Sequence, residues 1–92
     1  MIRSFRDRDT EALFRDMSVP CFRNIERVGR RKLLYLNAAK RIEDLRVPPG
    51  NHLVLLKGDR KGQHSIRVNN QWRICFTWRD GGAWNVEIVD YH

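Results

Sequence analysis

Three groups of residues in this sequence carry side chains suited to chemistry on a polyanion. The segment Lys57-Gly58-Asp59-Arg60-Lys61-Gly62 places three cations in one glycine-bearing loop. Arg67 and Arg73 stand in two neighbouring stretches of alternating hydrophobicity, and the sequence closes on Asp90-Tyr91-His92. Arginine and lysine bind phosphate oxygens, arginine through a planar fork that also stacks on bases. Histidine titrates near pH 6.5 and so moves protons at neutral pH. As the last residue of the sequence, His92 is expected to have its own carboxylate beside the ring, which would favour the protonated form. None of the three groups is diagnostic alone. The loop lacks the glycine spacing and terminal Gly-Lys-Ser/Thr of a P-loop. Taken singly, it reads as a solvated hairpin loop, and residues 90–92 read as a polar tail.

Composition narrows the partner. Eighteen Lys and Arg against eleven Asp and Glu give a formal charge of +7, and the pI is near 10.3. Such a surface attracts nucleic acid, the ribosome or an acidic membrane. Fourteen of the eighteen cations are arginine, which favours RNA over a purely electrostatic role. No apolar run approaches the roughly 18 residues of a membrane span, and Met1-Ile2-Arg3-Ser4-Phe5 lacks the apolar stretch of a signal peptide. Cys21 and Cys75 form no CxxC and have no histidine at ligand spacing. They read as free thiols in a reducing cytoplasm, with no metal site. Ninety-two residues, 41% of them hydrophobic, make one folded domain over 1–92, too small for a deep cofactor cavity, and no cofactor is expected.

The elements that must position these residues follow from period. Residues 1–5 suit a short strand. Residues 9–17 carry a helix signal, with Asp9 or Thr10 as cap and Leu13, Phe14 and Met17 on one side. Val19-Pro20 breaks it. A longer helix is expected over about 22–39, with Phe22, Ile25, Val28, Leu36 and Ala39 inward and Arg23, Arg27, Arg30 and Arg31 in water. A short turn over 41–45 precedes Val47-Pro48-Pro49-Gly50, which ends the helical half. Beyond it the pattern is β: a short buried strand over 53–56, then strands over 64–68, 71–78 and 84–90. In the third, Trp72, Ile74, Phe76 and Trp78 face one way, and Arg73, Cys75 and Thr77 the other. One face is therefore core, the other wet, and the sheet antiparallel.

Register adds a specific expectation. A two-residue turn at 69–70 would pair Ile66 with Arg73 and mix the faces, whereas a three-residue loop over 69–71 pairs Ile66 with Ile74. That choice sets Arg67 across from Arg73 on the wet face. Like charges so placed repel, so either an anion sits between them or both splay into solvent. The last hairpin is expected to pair Trp78 with Trp84 across a loop over 79–83. Val89 and Tyr91 then share the Arg73 face, and Asp90 turns toward the core side unless the strand bulges or frays.

Asn70-Gln71-Trp72-Arg73-Ile74, preceded by Lys57-Gly58-Asp59-Arg60 and Ser65-Ile66-Arg67-Val68 and closed by Asp90-Tyr91-His92, resembles the HigB branch of the RelE-like toxins. Met1-Ile2-Arg3-Ser4-Phe5 fits the same pattern. The resemblance spans nearly the whole chain. It implies an α+β fold with N-terminal helices on one face of a small twisted antiparallel sheet and an active site on the opposite face. It implies the toxin of a type II toxin–antitoxin pair: a ribosome-dependent mRNA endoribonuclease neutralised by a HigA-type helix-turn-helix antitoxin. Operator DNA would then be a partner only through the antitoxin complex. By position it carries over Lys57, Arg73, Asp90, Tyr91 and His92 as catalytic residues. Arg60, Lys61 and Arg67 are the expected RNA-binding residues beside them. The rival class is a non-catalytic basic module that docks on RNA or the ribosome.

RNA cleavage without a metal has the 2′-oxygen attack the adjacent phosphorus, leaving a 2′,3′-cyclic phosphate and a 5′-hydroxyl. A base must take the 2′-proton, cations must stabilise the added negative charge, and an acid can protonate the leaving oxygen. Arg73 suits the charge role, with Lys57 sharing it, and His92 suits proton transfer. Tyr91 suits stacking on a base or orienting the nucleotide, and Asp90 suits holding His92 or the backbone. One position departs from the family pattern: Val54 stands where HigB relatives can carry a functional histidine three residues before the loop lysine. His52, on the same face if the strand is regular, and His64 are the substitutes within reach.

Overall fold

Asp7 opens the first helix: its carboxylate accepts from the Thr10 N–H at 3.0 Å, and Asp9 and Glu11 lie in the first turn, where the helix dipole favours negative charge. The structure, a computed structural model, describes residues 1–90. In it α1 runs Arg8–Phe14. The cap thus lies ahead of the expected Asp9 or Thr10. Thr10 is instead fully buried inside the helix, where its hydroxyl accepts from the Ile88 N–H at 3.0 Å.

Pro20 starts a 3₁₀ turn over Pro20–Ile25, and α2 follows at Glu26–Ala38. The single helix expected over 22–39 is therefore divided, with Ile25 at φ −122°, ψ 11° as the break. Gly29 lets the two helices meet closely, since a Cβ there would lie 3.2 Å from Leu13 Cδ2. Arg30 also departs from expectation. Its side chain is 22% exposed and donates to the Leu13 and Met17 carbonyls at 2.8 and 3.1 Å. It satisfies the end of α1 instead of standing in water.

Two further 3₁₀ turns, Ile42–Arg46 and Pro49–Asn51, lead into an antiparallel sheet of order β1-β2-β3-β4. Its strands are β1 Val54–Leu55, β2 His64–Arg67, β3 Trp72–Arg79 and β4 Gly82–Asp90. β1 is not the buried four-residue strand that the sequence suggests. As an edge strand with one neighbour it is two residues long, and both Val54 and Leu55 are exposed while Leu56 is buried. The N-terminal residues reach the other side of the sheet as two parallel bridges to β4, Ile2 to Ala83 and Phe5 to Val86.

Ile66, Ile74, Phe76, Val86 and Ile88 meet Leu13, Phe22, Ile25, Leu33 and Leu36 in one apolar layer. Trp72 closes one end of it, edge-on to Phe22 with ring centroids 5.6 Å apart. The fold is thus α+β, with helices on one face of a small antiparallel sheet. Among the described residues no helix is long and apolar enough to cross a membrane.

Candidate active site on the open sheet face

The β2–β3 register is the expected one: Ile66 pairs with Ile74 and Arg67 with Arg73. Asn69 makes the loop, its side-chain oxygen accepting from the Gln71 and Trp72 N–H groups at 2.8 Å each. The two arginines then diverge toward neutral acceptors. Arg67 donates to the Asn70 side-chain oxygen. Arg73 donates from Nε to Ser65 Oγ at 2.8 Å and from Nη2 to the His52 carbonyl at 2.7 Å. Neither arginine splays into bulk solvent: both are half-buried and donate to protein acceptors.

Arg73 forms one wall of a shallow cavity of about 230 Å³, with Val54, Leu56, Ser65 and Asn70 as the others. Alternation puts Ser65 on the same face as Arg67, and the Val54–Ser65 pairing brings Val54 there too. The cavity combines an apolar side, a buried hydroxyl and a guanidinium held at two points. Such a pocket can seat a phosphodiester with part of its sugar or base.

This face is less uniformly wet than alternation alone predicts. Cys75 is fully buried, and Arg60, Glu87 and Arg73 all lie near enough to act electrostatically on its thiol. Burial raises the Cys75 pKa, and Glu87 also raises it while the two arginines oppose. Glu87 accepts from Arg60 Nη1 at 3.2 Å and pairs with Arg6 Nε at 3.4 Å. Arg60 also donates to Gln63 Oε1 at 3.2 Å. Arg60 is therefore engaged beside the cavity.

The other sequence candidates are dispersed. Lys57 is exposed immediately before the 3₁₀ turn Gly58–Arg60, and Lys61 is exposed just after it. Asp90 pairs with Trp72, so strand parity sets it opposite to Arg73 and Val89. It is exposed at the end of the sheet, where its carboxylate accepts from Gln71 Nε2 at 3.0 Å. Tyr91 and His92 lie outside the described residues.

The last hairpin differs from expectation near its turn and agrees beyond it. Trp78 pairs with Ala83 and Arg79 with Gly82, so the loop is the two-residue turn Asp80-Gly81, both at positive φ. This is the backbone of a tight hairpin turn. A bulge at Asn85, φ 55°, inserts one residue into β4 and restores the pairing of Ile74 with Ile88.

The histidines separate by backbone. His52 is at φ 44°, ψ 61°, ahead of the two-residue β1, so the regular strand that would align it with Val54 is absent. His64 pairs with Phe76 and stacks on its ring at 6.1 Å, on the core side. Its Nδ1 is buried without a partner, and burial lowers its pKa. His64 therefore faces the core and not the cavity.

Three residues at or behind the site, Ser65 in the cavity wall among them, were not singled out from the sequence. Lys32, 7% exposed on the inner side of α2, donates to the Asn51 side-chain oxygen. Asn51 is fully buried and donates to the Leu45 and Val47 carbonyls at 3.1 and 3.3 Å. The signal for Lys32 was its spacing from Ile25, Val28 and Leu36, which puts it on the apolar stripe. For Ser65 it was the alternation with Ile66. Asn51 carried none.

Comparison with known proteins finds relatives along nearly the whole chain. The family model of the RelE-like toxin HigB, from type II toxin–antitoxin systems, matches residues 3–92. The chain is 43% identical to Toxin HigB-1 of Vibrio cholerae over 92 residues, covering 96% of this chain and 95% of that protein. It is 35% identical to Endoribonuclease HigB of Proteus vulgaris, with all of both chains covered. An uncharacterized protein of Haemophilus influenzae is 40% identical over 65 residues, 71% of this chain and 64% of the other.

Proposed function

Because the chain belongs to the RelE-like HigB family of toxins from type II toxin–antitoxin systems, we propose that it is an endoribonuclease that cuts messenger RNA on the ribosome. The observation that carries this reading is Arg73, fixed by Ser65 and the His52 carbonyl at the wall of the cavity, with Arg67 beside it. A phosphate entering there meets a planar cation already oriented, so little ordering remains to be done when negative charge builds up on phosphorus.

In this reading the 2′-oxygen attacks phosphorus, and the bond from phosphorus to the 5′-oxygen breaks. The products are a 2′,3′-cyclic phosphate and a 5′-hydroxyl, and no metal or cofactor takes part. Arg73 stabilises the charge on the non-bridging oxygens, and Lys57, exposed on the neighbouring loop, shares it. His92 moves the proton, Tyr91 stacks on a base, and Asp90 orients the C-terminal segment. Arg67, Lys61 and Arg60 grip the RNA backbone. The cytoplasmic ribosome supplies and orders the mRNA, so cleavage of free RNA is expected to be weak. The antitoxin that membership of the family implies is of the HigA helix-turn-helix type, and operator DNA is bound only through the pair.

The test is mapping of mRNA 5′ ends in cells after brief induction of wild type, Arg73→Ala and a variant lacking Tyr91 and His92. New ends at fixed codon positions in wild type alone support the reading. Growth arrest without new ends would replace it with a basic module that blocks ribosomes by binding.

A further inference from the structure

Lys32 is a buried cation that the cleavage chemistry does not use. It sits on α2 between Gly29, Leu33 and Leu36, all of them buried, where a methionine would fill the same space without a charge. Burial lowers its pKa, and the positive charges of Arg31 and Arg67 lower it further. Its partners in the structure are neutral: the Asn51 side-chain oxygen and, at 5.6 Å, the ring of Tyr35. Holding an ammonium there costs stability, so its retention calls for a specific task.

That task is visible in what Asn51 touches. Its amide nitrogen ties down the carbonyls of Leu45 and Val47, and its backbone N–H donates to the Pro48 carbonyl at 2.9 Å. The segment from 45 to 51 is thereby fastened to α2. The next residue, His52, is in the left-handed conformation, which turns the chain, and its carbonyl receives Arg73 Nη2. Ser65, on β2, holds Nε of the same guanidinium. Two points from two different elements thus hold the Arg73 guanidinium, and one of them follows the segment that the Lys32–Asn51 contact fastens.

We infer that Lys32 and Asn51 are positioning residues, which hold the His52 carbonyl against Arg73 and so set the angle at which the guanidinium meets the scissile phosphate. This rests on the reading of Arg73 as the phosphate-binding residue. Misplacement by about 1 Å costs up to roughly a hundredfold in rate, so loosening the clamp acts on the rate constant more than on RNA binding.

The experiment is a double-mutant cycle on purified toxin, with single-turnover cleavage of mRNA on programmed ribosomes as readout. Lys32→Met is expected to slow cleavage roughly tenfold or more, while the half-saturating toxin concentration stays within about twofold. Lys32→Met with Arg73→Ala should be no slower than Arg73→Ala alone, because the clamp acts through Arg73. Losses that multiply, or an unchanged rate in a folded Lys32 variant, overturn the inference. If Lys32→Met does not fold, Lys32→Leu, which also removes the donor, goes through the same cycle under the same criteria. Should Arg73→Ala cleave like wild type, the reading of the site falls, and the NMR signal of the Arg73 Nη2 proton that the His52 carbonyl accepts then decides the clamp separately. Faster solvent exchange of that proton in the Lys32 variant supports the clamp, and unchanged exchange overturns it.

Discussion

Replacing Arg73 with lysine isolates geometry from charge. Arg73→Lys keeps a cation on the open face but loses the fork that binds Ser65 Oγ and the His52 carbonyl together. A single ammonium reaches one of these acceptors and has no plane to offer a phosphate. Losing one charge-assisted hydrogen bond in the transition state costs about 1.5–3 kcal/mol, which is a rate loss of roughly 10- to 150-fold. Arg73→Ala removes the charge as well, and the loss should approach 10²–10³-fold, as for removal of an oxyanion donor. The fold should hardly notice Arg73→Lys. The cross-strand repulsion with Arg67 persists, and such pairs are worth about 0.2–1 kcal/mol. Tm should therefore stay within about 8 °C of wild type. Single-turnover cleavage on programmed ribosomes, with thermal unfolding beside it, reads both. A lysine variant that cleaves within about twofold of wild type would refute the fixed-fork reasoning, since charge alone would then suffice.

Four further outcomes follow from the same geometry. Inorganic phosphate at constant ionic strength should raise the Tm of wild type more than that of Arg67→Ala, because an anion relieves the Arg67–Arg73 repulsion; tenfold over its Kd is worth about 1.4 kcal/mol, and equal shifts would count against a shared anion site. Glu87→Gln removes the carboxylate that holds Arg60 and Arg6. It should cost about 1–2 kcal/mol and speed maleimide labelling of the buried Cys75, and unchanged labelling would mean that the ion pairs do not cover it. Gly82→Ala puts a Cβ 2.9 Å from the Met1 carbonyl, which should cost about 1–3 kcal/mol and free the N-terminal amides to exchange. For His64, burial holds the folded pKa below the unfolded value of about 6.5. Below that pH the unfolded chain binds the proton first, so stability should fall with acidity by no more than about 1.4 kcal/mol per pH unit until the folded pKa is reached. Urea unfolding at pH 7 and 5.5 should show this slope, and His64→Leu should flatten it.

Strand alternation made the β2–β3 hairpin legible, because a slip of one residue would bury Arg73. The same logic placed the β3–β4 pairing correctly from Ile74 onward. It missed the Asn85 bulge, which leaves the pattern of apolar residues intact and hides in a single residue of positive φ. The helical half was less legible, since its pattern does not distinguish a 3₁₀ turn from the first turn of α2. Arg30 looked like a solvated residue because its acceptors, the Leu13 and Met17 carbonyls, belong to a helix end that only tertiary packing brings near. The cavity was half visible: alternation gives Ser65, Arg67 and Arg73 one face. His52 enters through its backbone carbonyl, which no side-chain pattern reports.

Charge placement links the fold to the site. Seven of the eleven acidic residues fall within residues 1–44. There they serve the helices: Asp7 caps α1, Asp44 accepts from the Lys40 and Arg41 N–H groups, and Glu11, Asp16 and Glu26 pair with Arg15 and Arg30. On the open face of the sheet Glu87 holds two arginines, Arg6 and Arg60. Arg67 donates to the Asn70 amide oxygen, and Arg73 donates to the Ser65 hydroxyl and the His52 carbonyl, acceptors that orient a guanidinium. Lys32 beneath them follows the same rule, with an amide for a partner. Eleven of the eighteen Lys and Arg also fall within residues 1–44, so both halves of the chain are net positive, and the pull on a polyanion comes from the whole surface and not from the sheet face alone.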